Sequence, residues 1–300
     1  LGRKIGHIGI LIFVMISLPL SAKKPQKQVA LSTEEQQQFT YYWYAARQAL
    51  TEERYADAYT LLQFCNAIKP NDGQTMAQLG TIYEAIGSKD KAMEAYKAAY
   101  EADPENQWQN YLEPLVKQYY QQKEWKKALA TQDEIDRRSD SYDAYSAVTR
   151  CFIYGEWGKP KKAVKAIDDY LETDPTNLRM LYLRLDFATQ MKAKPAELYS
   201  LYDRILAIVP NNIMILNNYA WLLATEGKDL KKAEQMSELT IREEPNNPVF
   251  LDTYGWIMHL QGQDELAIFY LNKALWNMPD DDEAMKAEVK EHLKKVESEK

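Results

Sequence analysis

"MAQLGTIYEAIGSKDKAMEAYKAAYEADP", residues 76 to 104, is the stretch whose reading decides the fold. Apolar residues recur in it at helical spacing on both sides of Gly87, the pattern of two amphipathic helices joined by a tight turn. Pro104 closes the stretch, because the residue before a proline is biased away from helical geometry. Two such helices cannot bury their apolar faces alone, so the stretch needs neighbours of the same kind.

The chain supplies them. Prolines at Pro70, Pro104, Pro175, Pro210, Pro245 and Pro279 are separated by 34, 71, 35, 35 and 34 residues, and the double gap holds a degenerate unit with Asp140 in the proline's place. Alanines fall 12 residues before each slot, at Ala58, Ala92, Ala128, Ala163, Ala233 and Ala267, with Leu198 the exception. Gly87, Gly158, Gly227 and Gly262 stand between the paired helical stretches.

In the opening stretch Leu79, Gly80, Tyr83, Ala92, Tyr96, Ala99 and Pro104 resemble the tetratricopeptide repeat, and Leu251, Tyr254, Gly255, Ala267, Leu271, Ala274 and Pro279 repeat the match. The resemblance spans seven units over residues 39 to 279. It implies an all-α fold: a right-handed α-solenoid of about seven helix pairs over residues 33–279, closed by a capping helix at 280–300. Small residues such as Gly80, Gly255, Ala46 and Cys151 then sit where helix axes come close, and a larger side chain there would overpack the contact. The third unit departs from the pattern with Pro114 inside its first helix, where it kinks the helix or leaves a carbonyl unpaired. The fifth places Asp186 in the small-residue slot, and the sixth has one extra residue after Gly227.

Residues 1–22 differ from the rest. "LGRK" leads into the apolar run "IGILIFVMISLPL" and then "SA", which fits a secretory signal peptide cleaved after Ala22, with an uncleaved anchor as the other reading. The run from Ile8 to Leu20 is shorter than the roughly 20 residues a membrane span needs. Residues 23–32 read as a flexible leader ending at Ser32, which forms a capping box with Glu35. The expected location is exported: periplasmic or associated with the cell envelope of a bacterium.

The resemblance implies that first helices line a concave surface, and that the position after the small residue points into it. That slot holds Arg47, Thr81 and Lys117 in the first three units, then Phe152, Phe187, Trp221 and Trp256. One reading makes the four aromatics groove anchors for a partner peptide, flanked by Arg184, Asn217, Asn218, Asp252 and His259. The other packs them between neighbouring first helices, the commoner role of aromatics at helical spacing. Asn217 and Asn218 likewise hold an extended peptide backbone through their carboxamides, or are polar helix-start residues. In "YYWY", Trp43 and Tyr44 are expected to face the groove.

Chemistry of other kinds finds little support. A formal charge of -7 argues against a nucleic-acid partner. Outside the leader segment only His259 and His292 remain, with no serine or cysteine at a suggestive spacing, so no catalytic residues, enzyme activity or cofactor are expected. Cys65 and Cys151, nearly three units apart, read as buried thiols rather than a disulfide or zinc pair. The run Asp280 to Glu283 reads as a helix start, and no metal site is expected.

The leading expectation is therefore a scaffold that binds other proteins of the envelope, reaching a membrane only through a partner or an uncleaved leader. The alternatives are an envelope assembly or secretion component acting through its convex surface, and an oligosaccharide-binding protein using the aromatics.

Overall fold

The structure, a computed structural model, describes residues 30–140, 142–279 and 281–299. The expected signal peptide, and all of the leader before Ala30, lie outside the described residues. The chain divides into two compact units, Leu1–Ser141 and Tyr142–Lys300.

The first unit is three helix pairs: α1 (Thr33–Thr51) with α2 (Tyr55–Ile68), α3 (Gly73–Ala85) with α4 (Lys89–Ala102), and α5 (Trp108–Gln121) with α6 (Trp125–Ser139). The second holds four pairs: α7 (Ala144–Glu156) with α8 (Pro160–Leu171), α9 (Leu178–Gln190) with α10 (Pro195–Ile208), α11 (Ile213–Thr225) with α12 (Leu230–Glu243), and α13 (Pro248–Leu260) with α14 (Asp264–Trp276). It ends in the unpaired α15 (Glu283–Glu299). Within each unit, every second helix packs on the first helix of the next pair, so the core runs from pair to pair as in a repeat stack.

Local chemistry fixes where the helices start and stop. Two residues after the prolines at 70, 175, 210 and 245 stands Asp72, Asn177, Asn212 or Asn247, and each side chain accepts a backbone N–H of the first helical turn. Asp143 does the same for α7. Such caps satisfy amides that a helix start leaves open, worth about 1 kcal/mol each. Ser32 and Glu35 form the expected reciprocal box on α1.

Between the two helices of every pair a residue adopts left-handed backbone geometry, and in the sixth pair Asp229 (φ 39°) joins Gly227. Glycine supplies it at Gly87, Gly158, Gly227 and Gly262, while Glu53 (φ 57°), Lys123 (φ 59°) and Lys192 (φ 52°) adopt it in the other three pairs. A side chain there costs roughly 1–2 kcal/mol. The extra residue of the sixth unit is absorbed after Gly227, where α12 starts only at Leu230.

The six aligned alanines are fully buried. A Cβ on Gly80 would stand 2.7 Å from the Tyr96 ring, and one on Gly255 3.0 Å from Leu271 Cγ, so both glycines are packing residues. The fifth unit solves the same contact with its sizes reversed: Asp186 turns outward to solvent and Leu198 is buried in the alanine's place. α5 continues as one helix through Pro114, which has no N–H to give the Asn110 carbonyl. Cys65 and Cys151 are free, buried thiols, and burial pushes them up to about 11 and about 12. Asp282 caps the Met285 amide at the start of α15, while Asp280 lies outside the described residues. Among the described residues, no helix is long and apolar enough to cross a membrane.

Candidate functional site

The slot after the small residue behaves differently in the two units. In the first, Arg47 and Thr81 border an open groove of about 470 Å³. Its walls come from three successive first helices: Trp43 and Arg47 on α1, Gln74, Ala77, Gln78 and Thr81 on α3, and Asn110, Tyr111, Glu113 and Pro114 on α5, with Gln107 just before it. The members recur three, four and seven residues before the slot, the spacing that shares one helix face. Trp43 is half-buried and lines the groove as expected, whereas Tyr44 is exposed and is not among the lining residues.

The groove is rich in carboxamides: Gln74 and Gln78 each bring a donor and an acceptor, while Asn110 Nδ2 donates to Gln107 Oε1 at 2.9 Å, which leaves the Gln107 amide and the Asn110 Oδ1 as the pair's remaining donor and acceptor. Because Pro114 has no N–H, the carbonyl of Asn110 adds a backbone acceptor without a helical partner on the same wall. Arg47 makes no ion pair among the described residues, while Lys117, the third slot residue, is tied across to Glu84. Glu84 also accepts a hydrogen bond of 3.3 Å from the Tyr96 hydroxyl, which places a buried tyrosine under the groove. The carboxamides were missed in the sequence. Counting back from the slot by helical periodicity would have found Gln74, Gln78 and Asn110.

In the second unit the slot is largely filled. The Phe187 ring lies over Gly155 of the preceding first helix, where an added Cβ would come within 3.2 Å of it. Trp221 and Trp256 are half-buried, and His292 of α15 packs against both, with ring centroids 5.6 and 4.6 Å away. His292 is 36 residues after Trp256, so it occupies the next position of the same ladder. Phe152 alone of the four aromatics is well exposed, at 48%, and with Arg179, Tyr182, Leu183 and Asp186 it borders a shallow depression.

The residues expected to flank the ladder are mostly engaged within the fold. Arg184 is an internal clamp, with Nε 2.8 Å from Asp168 and Nη2 2.6 Å from Glu197. Burial disfavours the charge of its guanidinium, and the two carboxylates more than restore it. Asp252 is buried, and its Oδ1 stands 2.9 Å from His292 Nδ1, where it accepts the ring's N–H. His259 is buried between Asp264, 2.8 Å from Nδ1, and Glu299, 3.3 Å from Nε2. Asn217 is buried with its Oδ1 unpartnered, and Asn218 is exposed. Neither asparagine starts a helix, since Asn212 caps α11 and both stand in its second turn.

The comparisons with known proteins come down on this same repeat. The family model for the tetratricopeptide repeat matches residues 73–106, the unit built from α3 and α4. No curated protein matches the chain. Among solved structures, a tetratricopeptide repeat protein from Parabacteroides merdae is similar at a TM-score of 0.50 and 18% identity, covering 87% of this chain and 99% of its own. MamA from residue 41 to its end, from Desulfovibrio magneticus, is similar at 0.50 and 13% identity, covering 61% of this chain and 99% of its own. The matched unit, the fold of these structures and the repetition of one cap, one left-handed turn and one small-residue contact from pair to pair agree: residues 73–106 match the tetratricopeptide repeat, and the chain has the helix-pair fold of tetratricopeptide-repeat structures.

Proposed function

We propose that the protein is a non-enzymatic protein-protein interaction scaffold of the bacterial cell envelope, and that it holds an extended peptide of a partner in the groove of its first unit. The observation that carries this reading is the row of carboxamides from two successive first helices, Gln74 and Gln78 of α3 with Asn110 of α5 and Gln107 at its start, beside Trp43 and Arg47 of α1. Carboxamides pair with both the N–H and the C=O of an extended backbone. Trp43 offers an apolar face to one side chain of the peptide, and Arg47 a cation to an acidic one. In the second unit, Phe152 with Tyr182 and Leu183 is the open part of the ladder and suits an apolar side chain. The export half of the proposal is supported by the basic start and apolar run of residues 1–22.

The test is crosslinking in cells, with a photoreactive residue placed either at Gln78 in the groove or at Phe269, which is exposed on α14. A defined envelope protein captured from position 78, and lost on Trp43→Ala with helical content unchanged by circular dichroism, is the expected result. Capture only from position 269 would move the contact to the outer surface and favour the assembly-component reading. Oligosaccharide binding with no protein captured from either position would favour the sugar-binding one.

A further inference from the structure

α13 and α15 are joined by two contacts that mirror each other. On α13, Asp252 faces His292 of α15 at 2.9 Å, and seven residues further along each helix His259 faces Glu299 at 3.3 Å. Each helix thus gives one histidine and one carboxylate, and the two contacts are two helical turns apart. Between them lies the aromatic surface of the last two pairs: His292 rests on Trp221 and Trp256, and Lys295 stands 5.0 Å above the Trp256 ring. Val289 and Val296 of α15 are fully buried, while most of its other residues are exposed. With Met285 and Leu293, partly buried against the same core, the two valines form one apolar stripe along the helix, and the two histidine contacts stand beside it.

We propose that the His292–Asp252 contact is a proton-dependent latch, which, beside the His259–Glu299 contact, holds α15 over Trp221 and Trp256 in mild acid and loosens as the pH rises, uncovering them. His259 braces the far end of the same helix pair. Its two nitrogens face two different carboxylates, Asp264 of α14 and Glu299 of α15, and only an imidazolium donates from both. A neutral ring leaves one carboxylate facing a lone pair.

The surroundings of His292 point the same way. α13 presents Asp252 to it and α11 the Trp221 ring, and its own helix adds Glu288, Glu291 and Lys295, with the His259–Asp264 pair on the far side of Trp256. Burial lowers the proton affinity of the ring, and the hydrogen bond and charge of Asp252, with Glu288 and Glu291, outweigh it, so it titrates above its ordinary 6.5. A group whose folded value is raised contributes stability that is complete below the unfolded value and is lost as pH climbs through the folded one. The latch is accordingly closed below 6.5 and opens on the alkaline side of it.

Hydrogen exchange of the full chain, corrected for the intrinsic pH dependence and referenced to α8, tests this directly. Protection of residues 283–299 is expected to fall about fivefold or more between roughly pH 6 and pH 8.5. His292→Gln, which keeps a hydrogen-bond donor for Asp252 but cannot be charged, is expected to flatten that profile. Protection of α15 that is constant with pH in the wild-type protein would overturn the proposal, as would His292→Gln retaining the wild-type profile. The wild-type titration decides the matter even where the variant does not fold.

Discussion

The two units put the same helical position to opposite uses. In the first, Arg47, Thr81 and Lys117 are polar, none reaches deep between first helices, and a groove lined by carboxamides stays open beside them. In the second, Phe187 lies on Gly155, and Trp221 and Trp256 are partly covered by a histidine from the last helix. Backbone architecture is common to both, so the difference comes from side-chain volume and polarity at one slot per repeat. A large apolar ring gains by leaving water, and it takes the nearest cover, which is the neighbouring helix. A short or charged side chain has no such gain and leaves the surface open.

The largest effect that could break this contrast is at Trp256. Truncation to alanine is expected to cost about 3 kcal/mol of stability in urea unfolding, as for large aromatics in cores, whereas Thr81→Ala in the first unit should stay within about 0.5 kcal/mol. Equal losses at the two positions would mean that Trp256 is groove surface and that the units do not differ in this way.

A second pair of variants probes what the units share. Gly80→Ala and Gly255→Ala should each cost about 2 kcal/mol, because the new Cβ meets Tyr96 in one unit and Leu271 in the other. A neutral result in only one of them, read from denaturant midpoints, would show that the close helix approach is not common to both.

Smaller and opposite in sign are the left-handed turns. Replacing Glu53, Lys123 or Lys192 by glycine should gain about 1 kcal/mol each once glycine's greater chain entropy is subtracted. The rise in melting temperature should be similar for Lys123 in the first unit and Lys192 in the second. Last comes Arg47→Ala, exposed in the groove: stability unchanged within about 0.5 kcal/mol, with weaker capture of the partner in the crosslinking assay.

The amino-acid sequence by itself determined the repeat. Its prolines, alanines and turn glycines recur because each pair must end, pack and reverse in the same way, and those demands are local enough to leave a period of about 35 residues in the chain. It also marked the slot where the units diverge, and the reason Gly255 is a glycine. The direction each polar group takes was left to the tertiary structure. Arg184, Asp252 and His259 have the composition of a binding rim, yet their partners are Glu197, His292, Asp264 and Glu299, brought up from other helices. The carboxamides of the first groove become one surface only because α3 and α5 stand side by side. Periodicity records which face of a helix a residue occupies, and only packing decides what stands opposite that face, which is why the fold could be read along the chain and the open groove could not.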